Sequence, residues 1–120
     1  HMSEIRLGAV ESKFADIIWN NEPLRPVELE KLAEAELNWK RTTTLTILKR
    51  LCERGIFQNK DRIITSLISR EEFYALQSEK FVNDTFEGSL PAFLTAFGSR
   101  KKLSDKEVEE LKKVIDSMRR

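Results

Sequence analysis

The residues with most to offer chemically lie between Lys40 and Arg62. Seven cations stand there (Lys40, Arg41, Lys49, Arg50, Arg54, Lys60 and Arg62) against Glu53 and Asp61, a net charge of +5, whereas the whole 120-residue chain carries only +1. From Glu22 to Glu36 five glutamates outweigh Arg25 and Lys31, for a net charge of −3. Charge is thus segregated along the sequence, and the basic block is a candidate phosphate-facing surface. Within it, Arg41, Thr42, Thr43, Thr46, Lys49 and Arg50 fall on one side of a helical repeat. Threonine hydroxyls bond base edges or phosphates, and their methyls touch the thymine methyl. Arginine grips guanine with two bonds, and lysine mostly neutralises phosphate. A cationic face can also be merely solvated, and threonines also serve at helix starts. The element that carries these residues decides between the two.

Other chemistries find little material. His1-Met2 reads as a cloning remnant, and the remaining chain has no histidine. That removes histidine acid–base catalysis and any Ser-His or Cys-His pair. Cys52 is the single cysteine, so neither an internal disulfide nor a cysteine-rich zinc site can form. It reads as a small apolar filler rather than a redox sensor. Glu71-Glu72 and Glu109-Glu110 are adjacent on helices, where neighbours do not face one another, so they read as caps and surface charge. No catalytic residue, metal site or cofactor is expected. No run of about 18 apolar residues occurs, so membrane insertion is not expected. No signal peptide opens the chain, and a cytoplasmic protein is expected.

The positioning elements follow from periodicity. Leu7, Val10, Phe14, Ile17 and Ile18 predict a first helix from about Ala9 to Trp19. Pro26 opens a second, to about Glu36, with Val27, Leu29, Leu32 and Ala33 as its apolar side. A third helix spans Arg41 to Arg54, with Thr44, Ile47, Leu48 and Leu51 on one face and Gly55 placed for a left-handed cap. Residues 56–58 and 62–67 then predict a short hairpin, turning at Asn59-Lys60-Asp61. Ser69 and Glu72 form a capping box for a fourth helix from Arg70 to Phe86. Leu90, Phe93, Leu94 and Phe97 mark a fifth, closed by Gly98. Ser104 and Glu107 cap a sixth, whose face is Val108, Leu111, Ile115 and Met118. Trp19 and Trp39 sit at helix boundaries and read as core.

The expected fold is therefore mainly α with a small β-hairpin: an N-terminal winged helix-turn-helix over residues 5–69, then a three-helix dimerisation arm over 70–120. In a helix-turn-helix the second motif helix lies in the major groove. The basic face belongs to that helix here, and Lys60 and Arg62 sit on the wing behind it. The arm has more phenylalanine than its few elements can bury, and such helices usually meet a second copy. Phe73, Leu76, Phe86, Phe93, Leu94, Val108, Leu111 and Ile115 are the expected homodimer interface.

At these residues the chain resembles the penicillinase and methicillin-resistance repressors, the BlaI/MecI family, over nearly its whole length. The resembling stretches are residues 7–19 (LGAVESKFADIIW), 39–51 (WKRTTTLTILKRL), Arg54-Gly55, Ser89-Leu90, Ala96-Phe97 and 103–115 (LSDKEVEELKKVI). The resemblance implies a homodimer that binds an inverted-repeat operator in double-stranded DNA before β-lactam-resistance genes. It also implies derepression by proteolysis, triggered by a membrane sensor, at a bond matching Ala96–Phe97. The chain departs from the family in four places. Lys40-Arg41 stand where the family usually has Ser-Pro, and Leu45 where it often has a DNA-facing arginine; Leu45 could contact a thymine methyl. Ala96 replaces an asparagine found in some members, and the wing is shorter. The C-terminal cysteine cluster of copper-responsive members is missing, which argues against copper sensing. Two alternatives stay open on the sequence: a winged-helix repressor of another regulon with a different cue, and a winged-helix protein-interaction module.

Overall fold

The computed structural model describes residues 7–120. His1-Met2 and the first two residues of the expected 5–69 domain lie outside the described residues. Among those described, the order is α1 (Ala9–Asn21), α2 (Pro26–Leu37), α3 (Arg41–Glu53), β1 (Phe57–Lys60), β2 (Ile63–Ser66), α4 (Arg70–Phe86), α5 (Leu90–Gly98) and α6 (Asp105–Ser117). This is a mainly helical chain with a winged-helix order in its first part. It divides into two units, one ending at Ser78 and the other beginning at Glu79, and α4 runs through the boundary.

In the first unit each helix contributes most of the stripe that its periodicity predicts, but Val10 of α1 and Val27 of α2, expected on those stripes, are exposed. Phe14, Ala15, Ile17 and Ile18 of α1 are buried, as are Leu29 and Ala33 of α2 and Leu48 and Leu51 of α3. Leu24, Ile56, Phe57, Ile64 and Phe73 complete the same cluster. Burying one such side chain fully contributes about 1.5–3 kcal/mol. Both tryptophans pack against this core, as expected. The Trp39 ring lies 5.0 Å from Phe14. Trp19 stacks against Phe57, Phe73 and Tyr74, and its Nε1–H donates to the Ile68 carbonyl at 3.0 Å. That bond satisfies the indole inside an apolar setting.

α2 and α3 are each followed by a residue in the left-handed conformation. Asn38 adopts φ 57° and its N–H returns to Glu34, closing α2. Gly55 adopts φ 80° after α3, and the Ile56 N–H bonds the Leu51 carbonyl. A side chain with a Cβ is strained there, so glycine is the fitting residue.

The wing differs from the expected hairpin. Lys60 pairs with Ile63 and Asn59 with Ile64, so the turn is Asp61-Arg62 rather than Asn59-Lys60-Asp61. Asp61 and Arg62 both have positive φ, 55° and 63°. This is the primed two-residue turn, whose twist matches that of the flanking strands. Leu24 forms a third, one-residue rung: its N–H and carbonyl both bond Ile64, at 3.2 and 2.8 Å. Next to it the Glu22 carboxylate accepts from the Ser66 N–H at 2.7 Å and from the Ser66 hydroxyl. The wing root is thereby tied to the segment between α1 and α2.

The second unit is built differently. The rings of Phe81, Phe86, Phe93 and Phe97 stand 5.7–6.2 Å apart in mainly edge-on pairs. The Ser104–Glu107 capping box is present at the start of α6. No described residue from Glu79 onward is fully buried.

Candidate nucleic-acid interface

α3 has two unlike faces because its apolar residues recur every three or four positions. Thr44 and Leu51 are fully buried and Leu48 almost so, while Ile47 packs half-buried against the same core. Thr44 is polar, but its hydroxyl donates to the Lys40 carbonyl at 3.1 Å and is satisfied. This anchored side leaves Arg41, Thr42, Thr43, Thr46, Lys49 and Arg50 exposed together, with Lys40 at the helix start. Leu45 is half-buried at the margin of that face.

The ends of α3 are electrostatically unequal. Lys40 occupies the N-cap position with an extended backbone and no side-chain cap, and no acid lies in the first turn. Two cations at the positive end of a helix oppose its dipole. Glu30 of α2 offsets this, with Oε1 3.2 Å from Arg41 Nε. Near the other end, Arg50 Nη1 lies 3.3 Å from Glu11 Oε2 of α1. Glu11 and Glu30 are not singled out by the sequence, because nothing local shows which cation a glutamate two helices away will meet.

Lys60 and Arg62 are exposed at the wing tip. Arg62 shares a surface groove of about 290 Å³ with Arg25, Pro26, Val27, Asp61 and Ile63. Arg25 is therefore a further cation of this surface. In sequence it is hidden within an acidic stretch, and its position just before α2, the first helix of the motif, is the signal that points to it.

Of the residues expected to pair two chains, Phe86, Phe93, Leu94, Val108 and Leu111 are half-buried, whereas Leu76 and Ile115 are 42% and 49% exposed. Phe73 needs correcting. It is 1% exposed against Trp19 and Tyr74, so its area is already covered within the chain. The first turn of α4 completes the winged-helix core, which periodicity within α4 cannot reveal. Phe81, Leu90, Phe97, Val114 and Met118 are exposed apolar residues that the expected set did not include. Ala96 and Phe97 lie in the last turns of α5, both exposed. The Phe97 carbonyl accepts from the N–H groups of Arg100 and Lys101, each at 3.2 Å.

Cys52 packs half-buried against the core. Burial, and then the neighbouring Glu53, push its thiol pKa up, so it stays protonated and unreactive near neutral pH. Among the described residues no cluster of His, Cys, Asp and Glu could hold a metal ion. No helix among them is long and apolar enough to cross a membrane.

The model of the penicillinase repressor family matches residues 7–117. The chain is 25% identical over 114 residues to methicillin resistance regulatory protein MecI of Staphylococcus aureus, covering 92% of this chain and 93% of that protein. It is 24% identical to the MecI protein of Mammaliicoccus sciuri, with the same coverage. It is 22% identical over 115 residues to the penicillinase repressor of Bacillus licheniformis, covering 92% of this chain and 90% of that one. The match runs from just before α1 to the end of α6, and the chain belongs to the penicillinase repressor family.

Proposed function

We propose that this chain is a dimeric transcriptional repressor, not an enzyme, and that α3 is its reading head in the major groove of an inverted-repeat operator. The observation that carries this reading is the division of α3. Thr44, Leu48 and Leu51 hold one side on the core, and the opposite side presents Thr42, Thr43, Thr46, Lys49 and Arg50 together, with Arg41 exposed at the helix start. Lys40, Lys60 and Arg62 are assigned to phosphates, and Leu45 to an apolar contact with a thymine methyl. The wing is short, with its turn at Asp61-Arg62, so backbone contact rather than deep insertion is its role.

Pairing through the second unit supplies the two-fold symmetry that an inverted repeat requires. The incompletely buried phenylalanines of that unit support it. The names of the relatives, a methicillin resistance regulator and a penicillinase repressor, support β-lactam-resistance genes as the targets. A cytoplasmic location goes with this role. Induction would come from cleavage at Ala96–Phe97 by a membrane sensor protease. That bond lies in a hydrogen-bonded helix end, so α5 must open locally before a protease can accept it.

Selection of duplexes from a randomised pool tests the central reading. The expected product is a palindrome with half-sites about one helical turn apart, or a multiple of it. Thr43→Ala and Arg50→Ala should each weaken binding to it by about 1–3 kcal/mol. Unchanged affinity in both would remove α3 as the reading head. For induction, fragments from cells given a β-lactam should begin at Phe97, and a chain that stays intact during derepression counts against cleavage.

A further inference from the structure

Arg41 and Arg50 stand near opposite ends of α3, and each is met by a glutamate from a different helix. Glu30 and Glu11 are only 20% and 23% exposed, whereas Arg41 and Arg50 are 76% and 50% exposed. The acids are thus the more enclosed partners, and the arginines face solvent. Glu11 is held further: its Oε1 accepts from the Gly8 N–H at 3.3 Å while Oε2 meets Arg50. A phosphate approaching either arginine meets a guanidinium already engaged by a carboxylate. Such an arginine recruits fewer counterion-releasing contacts than a free one, and the carboxylate itself repels the DNA backbone.

We infer that Glu11 and Glu30 are specificity-determining residues that suppress binding to non-operator DNA by holding Arg50 and Arg41 until a matching site takes the guanidinium from them. On a matching duplex, base edges and correctly placed phosphates replace each carboxylate. On an unrelated duplex the exchange is incomplete, so each arginine stays paired and contributes little. Exposed ion pairs of this kind are weak, which lets the exchange proceed. The inference rests on α3 being the DNA-reading helix.

The test uses the full chain with Glu30→Gln and Glu11→Gln. Glutamine keeps an acceptor oxygen for the Gly8 N–H while removing the charge. Binding is measured on two duplexes, one selected by the wild type from a randomised pool and one with the same bases scrambled, between 50 and 200 mM salt. Each variant should bind the scrambled duplex about three- to tenfold more tightly at the low-salt end, with a salt slope steeper by about one. Affinity for the selected duplex should change much less, so the ratio between the two falls. Scrambled-duplex affinity and slope unchanged or reduced in both folded variants overturns the inference while leaving the DNA reading intact. Wild type that binds no duplex even at low salt overturns both. Thermal unfolding shows which variants are folded. Glu30 also offsets the cations at the start of α3, so if Glu30→Gln unfolds, Glu11→Gln carries the decision.

Discussion

Phe14 and Phe93 sit on amphipathic helices of the same chain, yet Phe14 is fully buried and Phe93 is half open. The contrast extends to their surroundings. Up to Ser78, three helices, a hairpin and the first turn of α4 close around one another, and thirteen hydrophobic residues are buried. From Glu79 on, four phenylalanines cluster without one becoming fully covered, and Val114, Ile115 and Met118 stay exposed. Three helical segments have too few neighbours to enclose their own apolar faces. The first unit can therefore be stable by itself, whereas the second has apolar area left over for another chain. The proposed repressor uses both behaviours: a rigid base for α3 and a surface to join two such bases.

Substitutions in the two units should have different consequences. The largest effect is expected from Phe14→Ala, which empties a site walled by Trp39 and the buried core; it should cost about 3–5 kcal/mol in denaturant unfolding. A cost near zero would mean that the first unit is no more closed than the second. Phe93→Ser should instead weaken pairing, raising the dimer dissociation constant about 30-fold or more in sedimentation, as hot-spot aromatics do. The mutated chain's winged-helix unit should keep its unfolding midpoint, and an unaltered dimer would show that the second unit is not the pairing surface. Trp19→Phe retains the ring packing but loses the bond to Ile68, and about 1 kcal/mol of stability should go with it. Ser104→Ala should cost about 1 kcal/mol of α6 stability through the lost cap, read as reduced helicity.

That cap also sets a pH dependence. The Ser104 N–H, and then its hydroxyl, hold the Glu107 carboxyl below its usual range. A pKa lowered in the folded state stabilises fully above the ordinary carboxylate value and is lost as pH falls through the lowered one. Helicity of α6 should therefore decline on acidification, and Glu107→Gln should flatten that decline. An identical acid profile in the variant would detach the effect from Glu107.

Much of the fold was legible because its signals are local. Spacing of apolar residues marks α1 to α6, and proline at the start of α2, Gly55 after α3 and Ser104 before α6 mark where helices begin or end. The open face of α3 was legible for the same reason, since a helix that buries positions 44, 48 and 51 must present 42, 43, 46, 49 and 50 on the other side. The wing turn was misplaced by a residue or two, because Asn59-Lys60-Asp61 and Asp61-Arg62 are both polar and only strand register chooses between them.

The basic block from Lys40 to Arg62, the division of α3 into a held side and an open side, and the surplus of apolar residues after Ser78 were determined by the sequence alone, because each is a matter of residue type and helical period. Other features were decided by tertiary structure. Phe73 went into the core beside Trp19, Leu24 joined Ile64 at the wing root, and Arg25 came to line one groove with Arg62. Glu11 and Glu30 likewise became partners of Arg50 and Arg41. Those pairings join residues that are 11 to 54 positions apart, and no periodicity within one element specifies which face of another will meet it.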